Sequence, residues 1–175
     1  PLSTSVAECR EMCDVIRRNG VRCLIAFENR WNLAWLAIKS RIDAGATGDI
    51  LQMSAKLCNT IFVPTRMLSW AGGSTPAWFL FPHIVDMALW LSGKTAARVY
   101  ASGSKKKLAA LGIDTYDAIQ ALVTFTDGTS AQFSTTWVLP AGMPVIADMK
   151  FDIVGEKDAI FVDMAPQMVQ QVSER

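Results

Sequence analysis

The strongest constraint on the fold is a stretch of strict alternation interrupted by one dipeptide. Ile119, Ala121, Val123 and Phe125 recur at every second position, Asp127-Gly128 follows, and Ala131, Phe133, Thr135 and Trp137 alternate again. A period of two sends one side-chain set to each face of a strand. Asp-Gly is strong hairpin chemistry, because both central residues of that turn tolerate positive φ. A second hairpin is expected where residues 149–154 and 159–162 flank Gly155-Glu156-Lys157-Asp158. Leu51, Met53, Ala55 and Leu57 alternate as a half-buried strand should, and residues 99–101 make a short one.

Helical periodicity appears in three places. Ser5-Val6-Ala7-Glu8 has capping-box spacing, and Val6, Cys9, Cys13 and Ile16 then recur on one face up to the stop at Asn19-Gly20. Residues 21–27 read as a short strand directly after this helix, which makes a helix–turn–strand unit of α/β type. A second helix is expected over residues 31–44, ending in Gly45-Ala46-Thr47-Gly48. A third is expected from about Pro82, with Met87, Trp90 and Leu91 on its apolar stripe up to Gly93. Between them, residues 59–77 read as a long loop rich in Pro, Gly, Ser and Trp; loops of that length are often functional. The resulting fold class is α+β: a helix–strand remnant of an α/β unit, followed by a predominantly antiparallel sheet with helices on one face, its other face left to water or a partner.

At 175 residues with 51% hydrophobic content, the chain fits one domain, or one domain plus a piece of another. Seventeen basic against sixteen acidic residues leave a net charge of +1. No field of one sign steers it to nucleic acid or an anionic membrane, and Lys105-Lys106-Lys107 reads as a solvated loop. The most apolar stretch, residues 78–91, is too short to cross a bilayer and is interrupted by Pro82, His83 and Asp86. Cys9, Cys13, Cys23 and Cys58 form no CxxC pair. Read as buried free thiols, they point to a reducing, cytoplasmic setting, with no metal site. The start at Pro1 rather than methionine suggests an excised piece.

Familiar catalytic signatures are missing from the sequence. There is no GxGxxG after a strand, no Walker-type loop, no GxSxG and no HExxH, so no cofactor is expected on this chain alone. The sole histidine, His83, is the one conventional acid–base candidate. Asp86, three residues on, shares its helical face and has the spacing to orient an imidazole. The alternative is a packing histidine beside an aspartate favoured by the helix dipole. Arg30, in Asn29-Arg30-Trp31-Asn32, falls where α/β folds place ligands at the carboxyl end of a strand; alternatively it makes a salt bridge while Asn32 caps the next helix. Trp78, with Trp70, flanks the long loop and is either part of a sugar-binding surface or core.

These segments, in this order, resemble the C-terminal portion of the glucose–fructose oxidoreductase / inositol dehydrogenase / MocA family. Pro1-Leu2-Ser3 is similar to the end of the family's Glu-Lys-Pro-Leu segment. Asn29-Arg30-Trp31 resembles the segment leaving its nucleotide-binding domain, and Gly45-Ala46-Thr47-Gly48-Asp49-Ile50 its glycine-rich turn. His83-Ile84-Val85-Asp86 through Trp90-Leu91-Ser92-Gly93 resembles its histidine helix, and Phe125-Thr126-Asp127-Gly128 its late hairpin.

The resemblance implies that residues 1–30 are the last helix and strand of an otherwise absent Rossmann domain, and that residues 31–175 are a sheet-based substrate and oligomerisation domain. It implies NAD or NADP in the intact protein and a sugar, polyol or related small molecule as substrate. His83 would exchange a proton with the substrate hydroxyl, with Arg30, Trp78 and Asp86 as substrate-binding residues. A homodimer or homotetramer through the sheet is expected, and the isolated chain is expected to be inactive. Two positions depart from the family. Its lysine would precede Pro1, outside this chain, and Phe79 stands where the family often has an aspartate four residues before the histidine. The second reading is a non-catalytic homologue that keeps the sheet for ligand binding or self-association.

Overall fold

A computed structural model describes residues 3–165 and 168–173, the last six by their backbone. Pro1 and Leu2, which carry part of the resemblance read from the sequence, lie outside the described residues, as do 166–167 and 174–175 at the end of the expected second segment. The first helix, α1 (Val6–Arg18), starts at Ser5, whose Oγ accepts from the Glu8 amide at 3.4 Å. The reciprocal half of the capping box does not form. The Ser5 N–H donates to Ser3 Oγ at 3.0 Å, and that hydroxyl donates to the Glu8 carboxylate.

None of the α1 residues is buried. Cys9 and Cys13 are half-exposed and Cys23 is exposed, so of the four thiols expected in a core only Cys58 is buried. The apolar face of α1 meets no partner among the described residues, and a helical stripe is buried only when something lies against it. The same reason overturns the strand expected over residues 21–27. That segment pairs with no strand among the described residues, and a strand exists only through a neighbour's hydrogen bonds.

A 3₁₀ turn over Glu28–Trp31 leads to α2 (Leu33–Asp43), which Asn32 caps through its side chain to the Ala34 amide at 2.9 Å. Then come β1 (Ile50–Asn59), a single π-helical turn over Val63–Met67 and a 3₁₀ turn over Ala71–Gly73. The stretch read as a loop therefore carries two tight turns. The third helix, α3 (Pro76–Ser92), begins six residues earlier than expected. Thr75 caps it by accepting from the Trp78 amide at 3.2 Å, and Pro76 occupies the first turn, where a missing N–H costs nothing. Pro82, read as the helix start, lies inside it. His83 is accordingly a mid-helix residue.

The remaining elements are β2 (Ala96–Ser104), the short α4 (Lys107–Ala110), β3 (Ala118–Phe125), β4 (Ser130–Thr136), β5 (Ala147–Gly155), β6 (Asp158–Asp163) and β7 (Met168–Ser173). They make one sheet in the order β2-β3-β4-β1-β5-β6-β7. Every neighbouring pair is antiparallel except β1 and β4, which run parallel at its centre. Both hairpins form where the alternation placed them. In the first, however, only Gly128 takes positive φ (88°), and the Gly128 amide donates to the Phe125 carbonyl. The connection is thus an ordinary turn followed by a left-handed glycine, one residue longer than the two-residue form.

Register aligns the apolar rows across the sheet: Met53, Ala131 and Ile153 in one, Ala55, Phe133 and Phe151 in the next. All six are buried, and α2 and α3 cover them. Leu80, Ile84, Met87, Ala88 and Leu91 form the buried side of α3, and Trp35 of α2 meets Phe151 edge-on with ring centroids 5.5 Å apart. Each large side chain enclosed this way contributes about 1.5–3 kcal/mol. At the end of β5, a Cβ on Gly155 would collide with the Thr47 carbonyl oxygen, so glycine lets the turn after α2 close onto the sheet. Among the described residues, no helix is long and apolar enough to cross a membrane.

Candidate functional site

His83 lies on the side of α3 that faces a cleft of about 360 Å³, walled by the Glu28 turn, the end of β1 and the start of β5. Glu28, Asn29, Asn59, Phe79, Leu57 and Met149 line it with His83. The imidazole is one-third exposed. Its Nδ1 is buried without a hydrogen-bond partner, and Glu28 Oε1 stands 3.3 Å away, at ion-pair range but outside hydrogen-bond alignment. The carboxylate beside the histidine is therefore Glu28 and not Asp86.

Asp86 is engaged elsewhere. Arg30 grips it with two parallel hydrogen bonds, Nε to Oδ2 at 2.7 Å and Nη2 to Oδ1 at 2.5 Å. The guanidinium also stands 5.7 Å from the Phe27 ring centroid and 5.8 Å from that of Trp90. Hydrogen bonding to Asp86 favours the charged guanidinium and outweighs its partial burial. A bidentate pair with stacked faces fixes orientation as well as charge. Arg30 and Asp86 thus clamp the Glu28–Trp31 turn onto α3 one helical turn beyond His83. Neither lines the cleft, and neither does Trp78, which is 42% exposed near the start of α3. Of the four residues singled out by sequence, the structure brings Arg30 and Asp86 together and leaves His83 alone in the cleft.

Two further residues at the cleft carried no sequence signal. Asn59 closes β1, is 5% exposed, and has its Oδ1 buried with no partner. A buried unpaired carbonyl oxygen is costly and marks a position that a ligand donor can fill. The Asn59 main chain is held in place, since its carbonyl accepts from the Leu139 amide at 3.2 Å. Glu28 follows Phe27, whose φ of 37° makes it the one non-glycine residue with positive φ among those described. Backbone conformations of this kind persist where the surroundings enforce them, often at functional sites.

The GFO/IDH/MocA C-terminal domain family model matches residues 35–161, most of the chain. The chain belongs to that family. It is 26% identical over 165 residues to scyllo-inositol 2-dehydrogenase (NAD(+)) of Bacillus subtilis, covering 93% of this chain and 46% of the relative. It is 24% identical to myo-inositol dehydrogenase Hyg17 of Streptomyces leeuwenhoekii, covering 90% and 47%. Among solved structures, an NAD binding oxidoreductase from Klebsiella pneumoniae superposes with a TM-score of 0.82 at 22% identity, covering 99% of this chain and 49% of that one. Levoglucosan dehydrogenase in complex with NADH superposes at 0.79 and 22%, covering 95% and 47%. The chain spans about half the length of the curated relatives it matches.

On the opposite side of the sheet, Tyr100, Leu122 and Phe161 are exposed among small polar residues. A shallow groove of about 380 Å³ there is lined by Cys58, Ser102, Ser104, Gln120, Ser134 and Thr136. Burial pushes the Cys58 thiol up, which keeps it protonated and unreactive at neutral pH.

Proposed function

We propose that this domain is the substrate-binding half of an NAD(P)-dependent oxidoreductase acting on a polyol, sugar or related small molecule, with His83 exchanging a proton with the substrate hydroxyl. The observation that carries the reading is the cleft itself: an imidazole, a buried unpaired Asn59 oxygen and a carboxylate converge on a space of about 360 Å³. Such an acceptor-rich set suits a molecule that offers several O–H donors. It does not suit a pyrophosphate, which Glu28 would repel. Residues 1–30 belong, in this reading, to a preceding Rossmann domain that covers the apolar face of α1 and holds NAD or NADP.

When bound there, the dinucleotide supplies hydride transfer. This chain's part is the proton. With Nδ1 turned inward, Nε2 is the nitrogen left to meet the substrate, accepting the hydroxyl proton on oxidation and returning it on reduction. Asn59 Oδ1 accepts from a neighbouring hydroxyl and sets which carbon faces the cofactor. Arg30 and Asp86 hold the cleft wall and do not touch substrate.

The open sheet face is, in the same reading, where copies of the protein associate into a dimer or tetramer. Exposed Tyr100, Leu122 and Phe161 supply apolar area between small residues that allow close approach. Sedimentation of the intact protein should give a dimer or larger, and Leu122→Glu should shift it toward monomer; a monomeric wild-type protein would remove the assembly.

The activity is tested by supplying the intact protein with NAD+ or NADP+ and a panel of inositols, aldoses and anhydrosugars, following nicotinamide absorbance. Turnover on a polyhydroxyl substrate is expected, with Asn59→Leu raising KM. A protein that binds such a ligand without reducing the cofactor would instead support the non-catalytic reading, which Phe79, a ring unable to relay a proton, favours.

A further inference from the structure

We infer that Glu28 is the positioning residue for His83, a carboxylate that holds the Nδ1–H of the imidazole so that Nε2 faces the substrate; the inference rests on the proton-exchange reading of His83. Helix α3 cannot supply this group itself. One turn before the histidine, the Phe79 ring packs edge-on to Trp70 and tilted to Trp137, with centroids 5.8 Å away in each case. One turn after it, both oxygens of Asp86 are taken by Arg30. Of the residues lining the cleft, Glu28 and His83 are the two with ionisable side chains.

The placement of Glu28 is built. Phe27 turns the chain through a left-handed conformation, and the Arg30 amide donates to the Phe27 carbonyl at 3.0 Å to close the 3₁₀ turn. Arg30 then bolts that turn to Asp86. Glu28–His83 and Arg30–Asp86 form two rungs between the same pair of elements, and the rigid second rung sets the height of the first. The 3.3 Å approach becomes a hydrogen bond by a small rotation of either side chain; such contacts are commonly loose before substrate closes the site.

The proton accounting is simple. The substrate hydroxyl gives its proton to Nε2, the ring becomes an imidazolium, and Nδ1 keeps its own proton while donating it to Glu28 Oε1. Glu28 stays ionised throughout. Its negative charge stabilises the cation formed in the step and its geometry selects the tautomer with Nε2 free.

Two measurements on the intact protein test this. In 15N-histidine NMR, with the His83 signals identified by their loss in His83→Ala, the wild-type ring should carry its proton on Nδ1. Glu28→Leu should move it to Nε2. Identical nitrogen shifts in the two proteins would overturn the inference without needing any substrate. In kinetics, Glu28→Gln should lower kcat by roughly fivefold or more, the worth of one unit charge near 4 Å under water-like screening. KM should change little, and Glu28→Asp should recover part of the loss. In a His83→Ala background the same Gln substitution should cost nothing further. An equal loss in both backgrounds would make Glu28 merely structural. If His83→Ala is slow while Glu28→Gln is unimpaired, Glu28 alone is removed; if His83→Ala itself runs at full rate, the proton-exchange reading falls and this inference with it.

Discussion

Replacing His83 by alanine in the intact protein is expected to lower turnover by about 10²–10³-fold, within the range that a positioned acid–base group contributes. Affinity for NAD or NADP should stay near its original value, because the imidazole faces the cleft and, in the proposed arrangement, the dinucleotide is held by the preceding domain. The substitution is mild for the fold. His83 is one-third exposed, makes no aligned hydrogen bond, and sits mid-helix where alanine is the best helix former. A kcat loss with unchanged melting temperature and unchanged cofactor binding is therefore the signature to look for. Unimpaired turnover would take His83 out of the reaction and leave the cleft as a binding site.

The largest effect on stability away from the hydrophobic core is expected at Asp117. This carboxylate, 5% exposed, accepts from the amides of Lys106 and Lys107 through Oδ2 at 2.7 and 2.8 Å, and from Leu108 through Oδ1 at 2.7 Å. Its own backbone is engaged too, donating to Ser104 and accepting from Trp137 and the Thr136 hydroxyl. Asp117 thus ties the end of β2, the start of α4 and the end of β4 into one joint. Asp117→Ala strands those donors, the Leu108 amide in a buried position, and should cost about 2–4 kcal/mol.

The pH dependence carries a definite sign. Burial pushes this carboxyl up, but the three N–H donors and Lys107 outweigh it and hold it below the usual aspartate range. A group depressed in the folded state stabilises fully above its unfolded value and loses that contribution as pH falls through the folded one. The difference in melting temperature between wild type and Asp117→Ala should therefore be full at neutral pH and shrink in acid below the aspartate range. A constant gap would mean that the joint does not depend on the charge.

How much of this could be read from sequence depends on whether the decisive contact is local. The two hairpins were legible because alternation and turn chemistry lie within a few residues of each other, and the stop at Asn19-Gly20 was legible for the same reason. The expected start of α3 falls six residues late because Pro82 carries a strong local start signal, whereas Thr75-Pro76 makes a complete cap that composition hides in a loop-like stretch. Residues 21–27 have strand composition, but no described residue pairs with them.

The site divides along the same line. His83 stood out by being the sole histidine. Its relation to Glu28 spans two distant segments, as does the Arg30–Asp86 grip, and the i, i+3 spacing of His83 and Asp86 pointed to a local pairing that the stronger bidentate partner displaces. Asn59 became visible only when its oxygen proved to be buried without a donor.

The parallel contact between β1 and β4 has a consequence for how the molecule is made. β1 is the first strand of this sheet to leave the ribosome, yet it sits in the middle of the finished sheet, between β4 and β5. The hairpins β3–β4 and β5–β6 can each close from nearby residues, but both neighbours of β1 arrive much later, and non-local pairing of this kind is slow. Until then Met53, Ala55 and Leu57 present an apolar row with two open edges, the kind of surface that captures other nascent chains. A strand made early must wait for β4 and β5 before both its edges are paired, and α3, the next long helix after it, is available to shelter that row meanwhile.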